Sequence, residues 1–317
     1  MSSGPKLTVV VPFLNEAENL PVLFQRLCKV MEGRPEVLEV LFVDDGSTDG
    51  SPDWVVETAK KDSRARLLQL SRNFGHQIAI TAGLDHAEGD AAVIIDADLQ
   101  DPPELIPELL AKWREGYEVV YAVRRSRQGE TWIKKFLAAT FYRVFRTLAK
   151  VDVPMDAGDF RLVDRKVIDA LKQVRELHRF MRGLTCWVGY KQVAVHYDRA
   201  ARHAGETKYP VWKSARLAWD ALTSFSGAPL RWVVGMGGFA CLVGLLWFAV
   251  ILWGRIYHPA YQEKGWPSLM AAVIFMGGVQ LISVGMLGQY VSRIFEEVKR
   301  RPLYYCRTPE GGTQGRP

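Results

Sequence analysis

Two long stretches without a single charged side chain set the terms for this chain. Residues 232–254 and 265–292 contain no Asp, Glu, Lys or Arg. The first, WVVGMGGFACLVGLLWFAVILWG, would span about 35 Å as an α-helix, enough to cross the hydrocarbon core of a bilayer. The second opens with Trp266-Pro267, a pair suited to a helix start at a membrane interface. The linker at 255–264 is too short to fold alone, so a helical hairpin is expected, with spans near 232–254 and 267–291. The alternative, two core helices of a soluble protein, is disfavoured because core helices seldom run so long without a charge. Lys213, Arg216 and Arg231 precede the first span, and Arg293, Lys299, Arg300, Arg301 and Arg307 follow the second. Between the spans lie only Arg255 and Lys264, beside Glu263. This asymmetry places both termini in the cytoplasm of a multi-pass protein of the plasma (inner) membrane.

Everything before Arg231 reads as a soluble domain, so neither a purely soluble protein nor a many-span transporter fits. The division expected is a catalytic domain over 1–228, a membrane hairpin over 229–292 and a basic tail over 293–317. Residues 308–317 (TPEGGTQGRP) have a disordered composition. The opening Met1–Pro5 is short and polar and Leu7–Val11 is only a strand's length, so no secretory signal is expected. Cys28, Cys186, Cys241 and Cys306 show no metal-site spacing and read as reduced, buried small hydrophobes. The net charge of +6 comes with no nucleic-acid motif. Much of the excess lies beside the spans, where anionic lipid rather than nucleic acid attracts it.

Within the soluble part, near-continuous apolar runs at Lys6–Pro12, Leu38–Asp44, Ala65–Leu70, Ala91–Asp96 and Glu118–Val123 predict strands of a parallel sheet buried on both faces. Helical patterns at Glu16–Met31, Ser51–Lys61, His76–Ala87 and Pro103–Glu115 alternate with them. The expected fold is therefore a doubly wound, mostly parallel α/β sheet with ligands at the carboxyl ends of its strands. Acidic clusters fall at those ends: Asn15-Glu16 after the first strand, Asp44-Asp45 after the second, and Asp96-Ala97-Asp98-Leu99-Gln100-Asp101 after the fourth. One acidic turn is ordinarily a cap or a solvated loop; three along one sheet edge are better read as a site. Asp96 and Asp98, one residue apart where the chain turns, can converge on a hard cation such as Mg²⁺ or Mn²⁺ that also holds substrate phosphates. Neither a Walker A sequence nor a strand-to-helix GxGxxG is present.

Val9-Val10-Val11-Pro12 with Asn15-Glu16 and Asn19-Leu20, then Val43-Asp44-Asp45-Gly46-Ser47-Thr48-Asp49, then Asp96-Ala97-Asp98, resemble in order the motifs of family-2 glycosyltransferases of the GT-A fold. The extended Asp96–Glu104 stretch is similar to that of polyprenyl-phosphate glycosyltransferases of the dolichyl-phosphate mannose synthase-like group. The two C-terminal spans resemble bacterial bactoprenol glucosyltransferases of the GtrB type. Ser71–Gln77, Asp156–Leu162 and Arg202–Tyr209 also resemble that subgroup, and the likeness runs over residues 6–300. It implies that Pro12, Asn15, Glu16, Asp44, Asp45 and Asp96 hold the nucleotide-sugar and that Asp96, Asp98 and Gln100 ligate the cation. It also implies that Arg124, Arg202 and Lys208 hold a lipid phosphate, with Asp159 between donor and acceptor. Ala228-Pro229-Leu230-Arg231-Trp232 keeps only the Arg-Trp of the QxxRW motif of processive synthases, which argues against polymer synthesis.

The expected reaction is transfer of one sugar, with glucose from UDP-glucose as first choice, to undecaprenyl phosphate at the cytoplasmic membrane face. It would be metal-dependent and inverting. GDP-mannose and a UDP-4-amino-arabinose derivative remain open as donors. A membrane nucleotidyl- or phosphosugar transferase and a non-catalytic nucleotide-sensing membrane partner are the rival readings. A phosphate acceptor is already anionic near neutral pH, so Asp159 would be redundant as a base and is expected to orient the sugar or a basic residue. Residues 131–150 and 216–225 read as amphipathic, basic and aromatic helices for the lipid interface, or else as helices packed on the sheet. His76 and His203 lie inside motif segments and could touch phosphate. Gln280 in the second span, together with the subgroup resemblance, points to a homo-oligomer, a tetramer.

Overall fold

A computed structural model describes residues 4–124, 157–197, 228–257 and 265–307. Expected features at 131–150, 216–225, 202, 203 and 208 lie outside them. Contacts group residues 1–209 with 302–317 in one compact unit and 210–301 in another.

The first unit holds a seven-stranded sheet. Its strands are β1 (Lys6–Phe13), β2 (Val37–Asp44), β3 (Ala65–Gln69), β4 (Ala91–Ile94), β5 (Val119–Arg124), β6 (Ala157–Asp164) and β7 (Gln192–Tyr197), in the order β3-β2-β1-β4-β6-β5-β7. Only β6 runs antiparallel to its neighbours; the other pairings are parallel. The helices are α1 (Asn19–Met31), α2 (Ser51–Lys61), α3 (His76–His86), α4 (Ile106–Arg114), α5 (Arg165–Gln173) and α6 (Met181–Trp187).

The apolar runs of β1, β2 and β4 dictate this arrangement, because Val9, Val10, Val11, Val40, Leu41, Phe42, Val43 and Val93 are all fully buried and such strands need cover on both faces. One face packs Leu7, Val9, Val11 and Phe42 against Leu20, Leu23 and Leu27 of α1 and Ile106 and Leu109 of α4. Trp54 of α2 stands edge-on to Phe42, with ring centroids 5.9 Å apart. The opposite face takes α3, where Gly83 lets the helix sit against Val10 and Val43. The expected doubly wound α/β sheet is therefore the observed one.

Some boundaries differ from expectation for local reasons, among them that of α4, which a 3₁₀ turn over Pro103–Leu105 precedes. Helix α1 starts at Asn19 rather than Glu16 because the Glu16 carbonyl accepts the Asn19 and Leu20 N–H groups in a turn. Strand β4 ends at Ile94, and Asp96 leaves the ladder to enter the loop that follows.

The second unit contains α7 (Ala228–Tyr257) and α8 (Trp266–Val298), which contact each other. Within them, Trp232–Trp253 and Ala272–Val298 have mean hydropathies of 2.2 and 1.6, with no part of either window buried. Leu245, Phe248, Leu281 and Val284 are all exposed; so many bare apolar side chains suit lipid, not water. Beyond Arg301 the chain rejoins the first unit, where the backbone at Leu70 bridges antiparallel to Cys306.

A Cβ on Gly83 would fall 2.2 Å from the Val10 Cγ1, in a core that cannot shift. Gly83→Val should destabilise the protein by about 1–3 kcal/mol through overpacking, read as a lower thermal midpoint in detergent.

Candidate active site

The carboxyl ends of β1, β2 and β4 meet the start of antiparallel β6, where Ile94 pairs with Arg161. Beyond that pair the ladder ends, and the Asp96 and Asp159 carboxylates both stand beside the His76 ring. Asp159 is 7% exposed and does not stand alone. Arg182 of α6 donates to it from Nε at 2.8 Å and from Nη2 at 3.2 Å, and Gln77 Nε2 donates at 3.3 Å. The His76 Nε2 lies 3.4 Å from Asp159 and 3.5 Å from the Asp96 Oδ1. Burial disfavours charge on Asp159, but His76 and Arg182 outweigh it and hold the carboxyl well below the usual range.

Asp96 has the opposite balance. Its Oδ1 is buried and accepts no hydrogen bond among the described residues, although the side chain as a whole is 32% exposed. Burial pushes its carboxyl up to about 6, helped by the charges of Asp101, Asp159 and Asp98 and opposed by His76. Two adjacent carboxylates pushed in opposite directions mark a functional site more often than a structural one. His76 itself is raised: burial lowers it, but its bond to Asp159 and the nearby Asp96 charge dominate.

Around this pair the loops are tied to one another. Asn15, at φ 57°, accepts from the Thr48 N–H at 2.8 Å, and its own N–H donates to the Ser47 Oγ at 3.0 Å. Asp44 is fully buried; it accepts from the Ser47 N–H at 2.7 Å and from Gln69 at 3.0 Å. Asp45 accepts from the N–H groups of Phe74 at 2.7 Å and Gly75 at 3.0 Å, and burial pushes its carboxyl up against these bonds. Gly46, at φ +84°, packs so close to the Asn73 backbone that a Cβ would sit 2.7 Å from its nitrogen. The Glu16 carboxylate accepts from Asn19 Nδ2 at 2.6 Å, and Pro12 lies buried on β1.

In the third loop, the Asp98 Oδ1 accepts from the Gln100 N–H at 3.1 Å, Leu99 adopts φ 60°, and Gln100 is buried. Asp101 accepts from the Tyr197 hydroxyl at the end of β7. Arg124 closes β5 in register with Tyr197, which places it at the same sheet edge. The structure thus brings together Pro12, Asn15, Glu16, Asp44, Asp45, Asp96, Asp98, Gln100 and Asp159.

Sequence reasoning missed Gln77 and Arg182 as partners of Asp159, and gave His76 only a contact with phosphate. Arg182 sits in a helix whose pattern carries no site signal. Among the described residues, no three His, Cys, Asp or Glu side chains gather to hold a metal ion. The Asp96–Gln100 loop is instead an open, partial ligand set with one unpartnered buried carboxylate oxygen. That fits a hard cation which completes its shell with substrate phosphates.

The family model described as glycosyl transferase family 2 matches residues 8–172. An uncharacterized glycosyltransferase of Bacillus subtilis, YkcC, is 47% identical over 311 residues, covering 98% of this chain and 96% of that protein. The SfII prophage-derived bactoprenol glucosyl transferase of Shigella flexneri is 38% identical over 307 residues, covering 97% and 99%. A mycobacterial protein of known crystal structure shares the fold at a TM-score of 0.50 and 21% identity, covering 71% of this chain and 76% of that one.

Replacing Arg182 with Met strips Asp159 of its two-pronged partner. Because Arg182 is partly exposed and His76 and Gln77 remain, the expected loss at pH 7 is about 1–3 kcal/mol. The depressed carboxyl contributes stability above the ordinary aspartate value near 3.9, lost as pH falls through the folded value. The gap in thermal midpoint between wild type and Arg182→Met should therefore narrow steadily below about pH 4.

Proposed function

The chain is a member of glycosyl transferase family 2 and an enzyme, and from that premise we propose that it moves one sugar from a nucleotide-sugar to a polyprenyl phosphate. Glucose from UDP-glucose is the donor we favour. The observation that carries the reading is the carboxylate pair: Asp159 held as an anion across His76 from Asp96, whose Oδ1 has no hydrogen-bond partner among the described residues. The bactoprenol glucosyl transferase relative aligns over nearly its whole length, apolar helices included, which supports a lipid-linked acceptor.

In this reading the tied loops of Asn15, Glu16, Asp44 and Asp45, with Pro12, frame the base and ribose. The carboxylates of Asp44 and Asp45 are committed to Ser47, Gln69, Phe74 and Gly75, so they act by fixing the walls of the pocket. Asp96, Asp98 and Gln100 would hold a divalent cation, Mg²⁺ or Mn²⁺. When bound, it neutralises the departing diphosphate.

An oxygen of the acceptor phosphate attacks the anomeric carbon, a new C–O bond forms, the bond to the nucleoside diphosphate breaks, and configuration inverts. The acceptor is already anionic, so no side chain need remove a proton. Asp159, held charged by Arg182 and His76, orients its neighbours rather than acting as the base. Arg124, Arg202 and Lys208 are proposed for the acceptor phosphate. The domain division at 1–228, 229–292 and 293–317, a hairpin with cytoplasmic termini and a tetrameric assembly belong to the same proposal.

Purified protein incubated with undecaprenyl phosphate, Mg²⁺ or Mn²⁺ and labelled nucleotide-sugars tests it directly. Label from UDP-glucose should enter the organic-extractable lipid, stop on chelation by EDTA and return with added cation. Asp98→Ala should lower transfer about a hundredfold or more. Release of pyrophosphate or a nucleoside monophosphate would instead indicate nucleotidyl or phosphosugar transfer. Full activity in Asp98→Ala would remove the cation assignment.

A further inference from the structure

The tail that follows the second apolar helix does not trail from the sheet. It pairs with the free side of edge strand β3 in antiparallel register: Leu70 bridges Cys306, the Ser71 N–H donates to the Tyr305 carbonyl at 2.8 Å, and the Arg307 N–H donates to the Gln69 carbonyl at 2.8 Å. One residue earlier, the Tyr304 hydroxyl donates to the Asp85 Oδ2 at 2.9 Å, and its ring lies 6.0 Å from that of His86. Asp85 also accepts from Arg175 at 2.6 Å. These contacts grip two places in the chain, residues 69–71 and residues 85–86.

Between those grips runs the stretch that furnishes one wall of the candidate site. The N–H groups of Phe74 and Gly75 bind Asp45, the Gln77 amide binds Asp159, and the His76 ring lies between Asp159 and Asp96. Helix α3 begins at His76 and ends at His86. As a short rigid rod, it transmits to its first turn any displacement of its last. The loop at 71–75 leads straight out of β3, so fraying of this edge would loosen the Phe74 and Gly75 N–H groups next. An edge strand with one side open frays most readily, and here the tail closes it.

We propose that Tyr304–Arg307 is a positioning strap for the donor site: it fixes both ends of the 70–86 stretch and so sets where His76 and Gln77 stand relative to Asp159 and Asp96. None of its residues touches the carboxylate pair; the strap acts through β3 and α3. The strap rests on the reading of this site as the donor site. It adds that the segment immediately after the membrane hairpin is part of the catalytic machinery's support. A one-ångström misplacement of positioning groups is enough to slow chemistry by orders of magnitude, and because Phe74 and Gly75 also hold Asp45, donor binding weakens with it.

The test uses the full chain in detergent or nanodiscs beside three variants: a stop after Arg301, a stop after Arg307, and Tyr304→Phe. Amide hydrogen exchange over 69–86 and the kcat and donor KM of sugar transfer are measured together. The stop after Arg301 should raise exchange at 69–77 while β1 and β4 stay protected, and should lower kcat about tenfold and raise donor KM severalfold as Asp45 loses its N–H partners. A peptide spanning 302–307, added in excess, should restore both. The stop after Arg307 should match wild type. Tyr304→Phe, which keeps the ring and loses the bond to Asp85, should raise exchange at 83–86 and lower kcat by about threefold.

Unchanged exchange over 69–86 with kcat within twofold of wild type, in either the Arg301 stop or Tyr304→Phe, would overturn the strap. If the Arg301 stop unfolds the whole sheet, Tyr304→Phe decides alone, and wild-type behaviour there overturns it. If wild type transfers no sugar from any donor, the donor-site reading fails, while the exchange measurements still decide whether the strap exists.

Discussion

The crowding of carboxylates at one end of the sheet is the constraint around which the rest of the first unit is arranged. Asp44, Asp45, Asp96, Asp98, Asp101 and Asp159 all reach the same edge, and each must be reconciled with partial or full burial. The structure settles nearly all of them internally: Asp44 with Ser47 and Gln69, Asp45 with two backbone N–H groups, Asp98 with the Gln100 N–H, Asp101 with Tyr197, and Asp159 with Arg182. What is left of these carboxylates is one buried oxygen of Asp96 that accepts no hydrogen bond among the described residues. Leaving a buried acceptor unsatisfied costs about 1–3 kcal/mol, and at this sheet edge a ligand is the natural recipient of the interaction.

This arrangement explains why so much of the site was legible in the sequence and why some was not. The strands announced themselves because burial on both faces forces unbroken apolar runs such as Val9–Val11 and Leu41–Val43. The loops announced themselves because acidic and amide residues cluster where those runs stop. Asp96 and Asp98 stood out by local spacing, whereas Gln100 entered as a ligand through the resemblance. Asp159 entered through a resemblance, and the antiparallel register of β4 and β6 supplies its physical reason, since a reversed strand delivers its first residues to the edge where its neighbours deliver their last. Arg182 had no such signal. Its partner is distant in the chain, its helix has only seven residues, and a lone arginine there reads as solvated until the tertiary fold brings it to Asp159.

The tail was illegible for a different reason. Pairing at Leu70 and Cys306 runs through backbone N–H and carbonyl groups, which every residue carries, so neither hydrophobic period nor charge pattern marks it. Its basic residues, Arg301 and Arg307, invited a membrane reading, and the aromatic Tyr304 and Tyr305 between them did not contradict one. The backbone pairing at Leu70 and Cys306 and the hydrogen bond from Tyr304 to Asp85 distinguish a strap from a solvated end.

The two apolar helices then acquire a meaning beyond anchorage. A lipid phosphate cannot leave the plane of its membrane, so a chain that must reach it gains effective concentration by being tethered to that plane, as any intramolecular encounter does. In the proposed reading the two apolar helices are that tether. Placing the hairpin before the last short segment of sheet, instead of after it, means that the chain must pass through both apolar helices before Tyr304–Arg307 can close the β3 edge. In such a topology the helix pair interrupts the sheet-bearing chain, and the edge strand is completed by sequence that follows both apolar helices. The order of elements along the chain thus makes the last contacts of the sheet depend on residues made after the tether.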